Sequence, residues 1–414
     1  MSLKLKYSQV KWALMELLII CYLSVHFFEG ITSRIWYIIL GMWIVWFTFS
    51  TIKKGLMYKK LYWYPVLVLV ILTFVTAAYN REYANNSFFM LRRVAEVALY
   101  ALTIALSIEC EEELIHIWRP LFIGGVLAAT YQLANIDYAS LSNTIASNAL
   151  RTSLSNKIFV NTYAYQALIS LFAGFKYFFV LYKKGRLWKA KTMLWMVGTA
   201  LILVGMLLTG SRKVIPALVC FFVVLLCYGK RHFWRVVLIA FALYLGLNAV
   251  IQIPALYNTI GWRIEMVLDS TDDASGQERA DLRKDAISTG LTHPFGVGLD
   301  NSKYYSTTRE VYAHNNYAEF FADFGFVGFL AYYGFYAYMA YKILCKMKEK
   351  RLNQSVEKNF YLAVLLSSMF TEYYQILYYN FSYHVVIVAI TLFIQYTVDS
   401  DYGTGVFNQG FEME

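Results

Sequence analysis

Residues 254–316 read PALYNTIGWRIEMVLDSTDDASGQERADLRKDAISTGLTHPFGVGLDNSKYYSTTREVYAHNN. This is the one long polar interval in the chain; elsewhere apolar runs alternate with short basic loops. A chain patterned this way threads a membrane repeatedly, and the interval is its one large extramembrane segment. Inside it stand Arg279, Arg283, His293, the turn Pro294-Phe295-Gly296-Val297-Gly298, and His314-Asn315-Asn316. The pattern predicts a helix from Gln277 to Thr289. Arg279 and Arg283, four apart, would share one face of it. Asp272 to Gly276 reads as the break before that helix.

Outward from this interval the composition is that of a membrane protein. The 414 residues are 59% hydrophobic and 15% charged, whereas soluble domains run near half apolar and a quarter charged. The apolar runs also reach the length of about 20 residues that a bilayer-crossing helix needs. Twelve spans are expected, over 12–28, 35–50, 62–79, 88–107, 114–134, 159–181, 192–208, 214–228, 234–253, 317–341, 359–375 and 383–398. The expected fold is an all-α polytopic membrane protein with a long, partly helical extracytoplasmic loop between helices nine and ten. The corresponding division is 1–253 and 317–398 for the membrane helices, 254–316 for the loop, and 399–414 for a cytoplasmic tail.

The charge distribution supports that topology. With the N-terminus inside, the inner segments hold 22 Lys/Arg and the short outer segments hold six, the bias that sets membrane orientation. Both termini are then cytoplasmic and the long loop is outside. The formal charge of +10 is mostly this topology signal, and no nucleic-acid partner is expected. Lys4, Lys6 and Lys11 before an apolar run imitate a signal peptide, but further spans follow at once, so a retained anchor is expected. None of the five cysteines lies in the long loop, which argues against a disulfide framework. No Cys-x-x-Cys or His-x-x-x-His spacing suggests a metal, and no Walker-type glycine loop is present. Any chemistry is expected to be free of metal, ATP and cofactor.

Several residues could carry that chemistry. In Thr209-Gly210-Ser211-Arg212-Lys213, glycine permits a tight turn, Ser211 and the nearby amides can donate to an anion, and Arg212 offers a fork for phosphate. An ordinary loop with one interfacial arginine reads equally well. Arg92 and Arg93 lie within an apolar run, where charges face a partner or an aqueous cavity; Arg92 could simply pair with Glu96, four residues on. Lys176 is expected to reach toward the membrane edge, and Glu372 and His384 to be structural. His314 could act as a general base on a sugar hydroxyl or pack the loop against the helices. Glu319 and Asp323 follow on the next helix and could orient the histidine or the acceptor, and Glu319 is expected to be catalytic together with His314.

Three blocks in order then resemble the O-antigen ligase and polysaccharide polymerase family of bacterial envelope glycosyltransferases (Wzy/WaaL-like). They are Leu208-Thr209-Gly210-Ser211-Arg212; Ser275-Gly276 with Arg279 and His293-Pro294-Phe295-Gly296-Val297-Gly298-Leu299; and His314-Asn315-Asn316-Tyr317 with Glu319 and Phe324-Gly325-Phe326-Val327-Gly328. The resemblance implies a glycan donor on undecaprenyl diphosphate and inverting transfer to an acceptor hydroxyl at the outer face of the bacterial cytoplasmic membrane. It implies that Arg212 and Arg279 hold the diphosphate and that His314 is catalytic, with Arg92 or Arg93 a further cation. Where the family often has an aromatic residue four after the loop arginine, this chain has Arg283, which either joins Arg279 or replaces it. A polymerase is the expected activity, with a flippase and a chain-length regulator as partners. The rivals are a ligase of the same family and, from another class, a transporter of lipid-linked glycans.

Overall fold

The structure is a computed structural model. It describes residues 2–25, 60–135, 160–183, 190–209, 213–226, 274–346 and 352–398, together with Ser211 and a few isolated positions. The described residues are helical, without strands. The chain divides into two compact units, Met1–Lys53 with Glu112–Thr271, and Lys54–Glu111 with Asp272–Glu414.

In the first unit, α1 (Ser2–Val25), α4 (Ile115–Ala134), α5 (Val160–Lys183), α6 (Ala190–Leu208) and α7 (Val214–Leu226) form a bundle. α4 is its hub, packing on α1, α5 and α6. Small residues allow the approach. A Cβ on Gly125 of α4 would lie 2.3 Å from Ser170 of α5, and one on Gly198 of α6 would lie 2.8 Å from Val126 of α4. In a membrane, where lipid is as apolar as leucine, such close backbone contact drives helix association. Glu16 does not stand alone there: its carboxylate accepts from Arg119 Nε at 2.8 Å and also meets His116. Lys176 is buried at 7% exposure instead of reaching for an edge, because its helix is packed on several sides by α4, α6 and α7.

In the second unit, α2 (Lys60–Tyr79) and α3 (Ala84–Ser107) pack with α9 (Asn316–Tyr341), α10 (Leu352–Glu372) and α11 (Phe381–Phe393). α8 (Ala274–Thr292) lies along α9. Ala286, Ala313, Ala318 and Ala322 form their buried seam. A Cβ on Gly290 would meet Phe321 at 2.4 Å. α8 begins at Ala274, so Ser275-Gly276 is its first turn and not the break expected before it. The amides of a first turn need no intrahelical acceptor, which makes that position tolerant of serine and glycine.

Three of the described helices are long and apolar enough to cross a membrane: Leu61–Tyr79, Glu111–Ala134 and Asn316–Cys345. Thr192–Leu208, Val214–Leu226 and Phe381–Thr397 are shorter apolar helices. The expected spans 35–50 and 234–253, the tail from Asp399 and most of 254–273 lie outside the described residues.

Candidate functional site

The loop between α8 and α9 is held by a break in α9. Gly325 has φ 66° and ψ −171°, a conformation that is essentially glycine-only. The break turns the carbonyls of Ala322 and Asp323 out of the helix ladder. Val297 N–H donates to the first at 3.0 Å and Gly298 N–H to the second at 2.8 Å. Gly296 and Gly298 also have positive φ. The Pro294–Gly298 turn and the Phe324–Gly328 block are thus two halves of one joint. The end of α2 and the start of α3 support it: Tyr79 donates to Gly296 O at 2.7 Å, Asn80 to Val297 O at 2.6 Å and Ser87 to Leu299 O at 3.1 Å. Asp323, expected to orient the histidine or the acceptor, instead accepts from the amides of Asp300 (2.7 Å) and Ser302 (3.0 Å).

The return of the loop is clamped from α8. Asp285 accepts from Ser306 Oγ at 2.8 Å and from the amides of Thr307 and Thr308, each at 2.9 Å. Burial pushes this carboxyl up, but the bonds from Ser306, Thr308 and Thr307 outweigh it and hold it below the ordinary aspartate value of 3.8. A carboxyl lowered on folding stabilises above its unfolded value and loses that contribution as pH falls through its lowered one. The clamp is therefore intact at neutral pH and releases only in acid below about 3.8. Asp285→Ala is expected to loosen residues 303–312 by about 1 kcal/mol, read as faster limited proteolysis within that segment while α8 and α9 stay protected.

Each residue of His314-Asn315-Asn316 has its own position. Asn315 caps α9, its side chain accepting from Ala318 N–H at 2.9 Å, the common device for a helix N-terminus. Asn316 is fully buried and donates to Glu372 and to the Tyr333 hydroxyl, each at 3.0 Å. His314 takes a left-handed backbone, φ 54°, uncommon for a residue with a Cβ. Its ring lies 4.2 Å from that of Tyr312. Glu319 is fully buried, and its Oε2 accepts from Ala313 N–H at 2.8 Å. It therefore holds the backbone next to His314.

The arginines gather around tyrosines that the sequence reading had passed over. Arg279 is within electrostatic reach of Tyr312. Burial and the Glu319 carboxylate raise the Tyr312 phenol, and Arg279 opposes them. The Arg283 guanidinium lies 5.9 Å from the Tyr373 ring. Arg93 lies over Phe89 at 5.1 Å and within electrostatic reach of Tyr379, which also senses Tyr312 and Glu319. Arg92 and Arg93 are both exposed on α3. Among the described residues Arg92 makes no ion pair with Glu96, which accepts from Tyr100 at 3.2 Å. Arg279 and Arg93 thus each act electrostatically on a tyrosine, Tyr312 and Tyr379, that also senses Glu319, and His314 lies against Tyr312.

Glu372 is fully buried, accepting from Asn316, from Tyr333 at 2.8 Å and from Tyr383. His384 Nε2 meets Tyr378 O at 2.7 Å and Nδ1 meets the Tyr62 hydroxyl at 3.1 Å. Glu372 ties Asn316 and Tyr333 of α9 to Tyr383 of α11, and His384 ties α11 to Tyr62 of α2 and to Tyr378 in the preceding turn. In the first unit, Ser211 Oγ donates to Asn161 Oδ1 at 3.3 Å, and Ser211 N–H to Thr209 Oγ1 at 3.2 Å. Arg212 and Gly210 lie outside the described residues.

The described residues form apolar helices, as in a membrane protein, and set arginines and a histidine on one polar segment. Residues 197–333 match the model of the O-antigen ligase family, so this part of the chain is similar to that family. No curated protein matches the chain. The matched region runs from α6 through the Ser211 turn, α8 and the glycine joint to Tyr333 in α9.

Proposed function

We propose that the protein is a polysaccharide polymerase that moves a glycan from undecaprenyl diphosphate to a hydroxyl of another lipid-linked glycan. The observation that carries the reading is that Arg279 acts on Tyr312, the residue packed on His314, while Arg93 acts on Tyr379 and Arg283 lies near Tyr373. In this reading the arginines take the diphosphate. The acceptor hydroxyl attacks the anomeric carbon from the face opposite the diphosphate and gives its proton to His314. The bond from the anomeric carbon to the phosphate oxygen breaks with its electron pair, leaving undecaprenyl diphosphate. Preorganised cations stabilise the charge that develops on the leaving group, commonly the largest single catalytic contribution. His314 supplies the base, and Glu319 holds its backbone in place. The reading puts twelve spans in a bacterial cytoplasmic membrane, both termini inside and this site outside, with a flippase delivering substrate and a chain-length regulator alongside.

The test uses the purified full chain in nanodiscs with a defined undecaprenyl-diphosphate-linked repeat unit and nothing else. A ladder of longer lipid-linked glycans is the expected result. Product that forms only when a separate acceptor is added would make the protein a ligase and overturn the polymerase reading. An absence of product with either acceptor would overturn glycan transfer altogether.

A further inference from the structure

In the first unit, uncharged polar groups are buried at the end of the bundle that carries Ser211. Gln132, near the C-terminal end of α4, is 3% exposed. Neither its Oε1 nor its Nε2 has a hydrogen-bond partner among the described residues. Gln132 and Tyr163, from the first turn of α5, converge on Gly205 of α6. A Cβ at Gly205 would lie 3.2 Å from Gln132 Oε1 and 2.8 Å from the Tyr163 hydroxyl. The same first turn of α5 carries Asn161, which holds Ser211.

A carboxamide taken out of water without partners is destabilising, and within an apolar bundle an aliphatic side chain of that size would serve packing better. Buried polar groups are nearly always satisfied, so an orphan of this kind calls for an explanation. Gln132 offers one acceptor and two donors, and its neighbours Tyr163 and Gly205 bring no charge. The complement is a neutral group with both a donor and an acceptor, such as a sugar hydroxyl or an amide substituent, and not a phosphate. The adjacent turn carries Ser211, Arg212 and Lys213, whose chemistry does suit a phosphate.

We propose that Gln132, with Tyr163 across Gly205, is a subsite for a neutral sugar ring of a lipid-linked glycan. The proposal rests on the glycan-transfer reading above, but its test does not need turnover. Equilibrium binding to nanodiscs holding the full chain is measured for two ligands: an undecaprenyl-diphosphate-linked repeat unit and undecaprenyl diphosphate without sugar. Gln132→Leu is expected to weaken binding of the glycosylated ligand about tenfold. It should leave the bare diphosphate lipid unchanged and keep or raise the melting temperature. Gly205→Ala, which places a methyl between the two polar groups, should act in the same direction. Equal losses for both ligands, no loss in either variant, or a lowered melting temperature in Gln132→Leu would overturn the subsite. Discrimination in binding without any transfer by the wild type would keep the subsite and remove the enzymatic reading.

Discussion

His314→Ala is expected to lower glycan transfer about 10²–10⁴-fold, the range a positioned general base contributes. The structure allows this loss to be separated from misfolding. His314 sits at φ 54°, where a Cβ carries strain of about 1–3 kcal/mol that persists only when the surroundings impose it. They do so from both sides: Glu319 grips Ala313 N–H, and Asn315 begins α9 with its capping bond. His314→Gly removes the side chain and the strain together. It should melt no lower than the wild type while losing transfer as fully as His314→Ala. A structural histidine would give a different pattern, with stability and activity falling together. Initial rates on a defined lipid-linked repeat unit, with melting in the same nanodiscs, read both quantities.

Gly325→Val is expected to have the largest effect on folding. A Cβ at Gly325 would lie 1.9 Å from Pro294 O and 3.0 Å from Gly296 N. Those are backbone atoms of the docked turn and cannot rotate aside. The substituted residue must also leave its glycine-only conformation, which alone costs about 1–3 kcal/mol. Straightening α9 would withdraw the Ala322 and Asp323 carbonyls from Val297 and Gly298, so the turn and the loop beyond it would lose their seat. The expected outcome is a loss of monodisperse protein on extraction, or a large fall in melting temperature. Gly334→Val is the comparison: no atom lies within 4 Å of a Cβ there, and it should extract and melt close to the wild type.

The helices were legible because each is a long apolar run, and lipid leaves a spanning backbone few conformations besides the helix. α8 was legible from its flanking polar break, though its start fell within that break. What the sequence did not reveal was the joint between Pro294–Gly298 and Gly325. Each half contains glycines that could belong to any turn, and only their mutual hydrogen bonds explain them. The roles within His314-Asn315-Asn316 were hidden for a similar reason. Cap, buried donor and strained ring-bearer have equivalent standing in a sequence, and backbone angle and burial separate them. Tyr312, Tyr373 and Tyr379 escaped notice because 35 tyrosines in an apolar chain look like interfacial aromatics. Glu372, expected to be structural, needs partners as an acid within an apolar run. That the partners would be Asn316, Tyr333 and Tyr383 depends on contacts 11 to 56 residues distant in sequence.

The central claim is that the α8 arginines serve the diphosphate of a lipid-linked glycan. It is tested most directly by comparing transfer in Arg279→Ala/Arg283→Ala with transfer in Lys284→Ala. Lys284 lies on the same helix, and its side chain is 72% exposed beside Asp281. In single-turnover reactions with the undecaprenyl-diphosphate-linked repeat unit, the double variant should lose at least about 10²-fold in rate, as removal of preorganised charge stabilisers does. Lys284→Ala should stay at the wild-type rate. Transfer by the double variant at the wild-type rate, with the protein folded, would contradict the account.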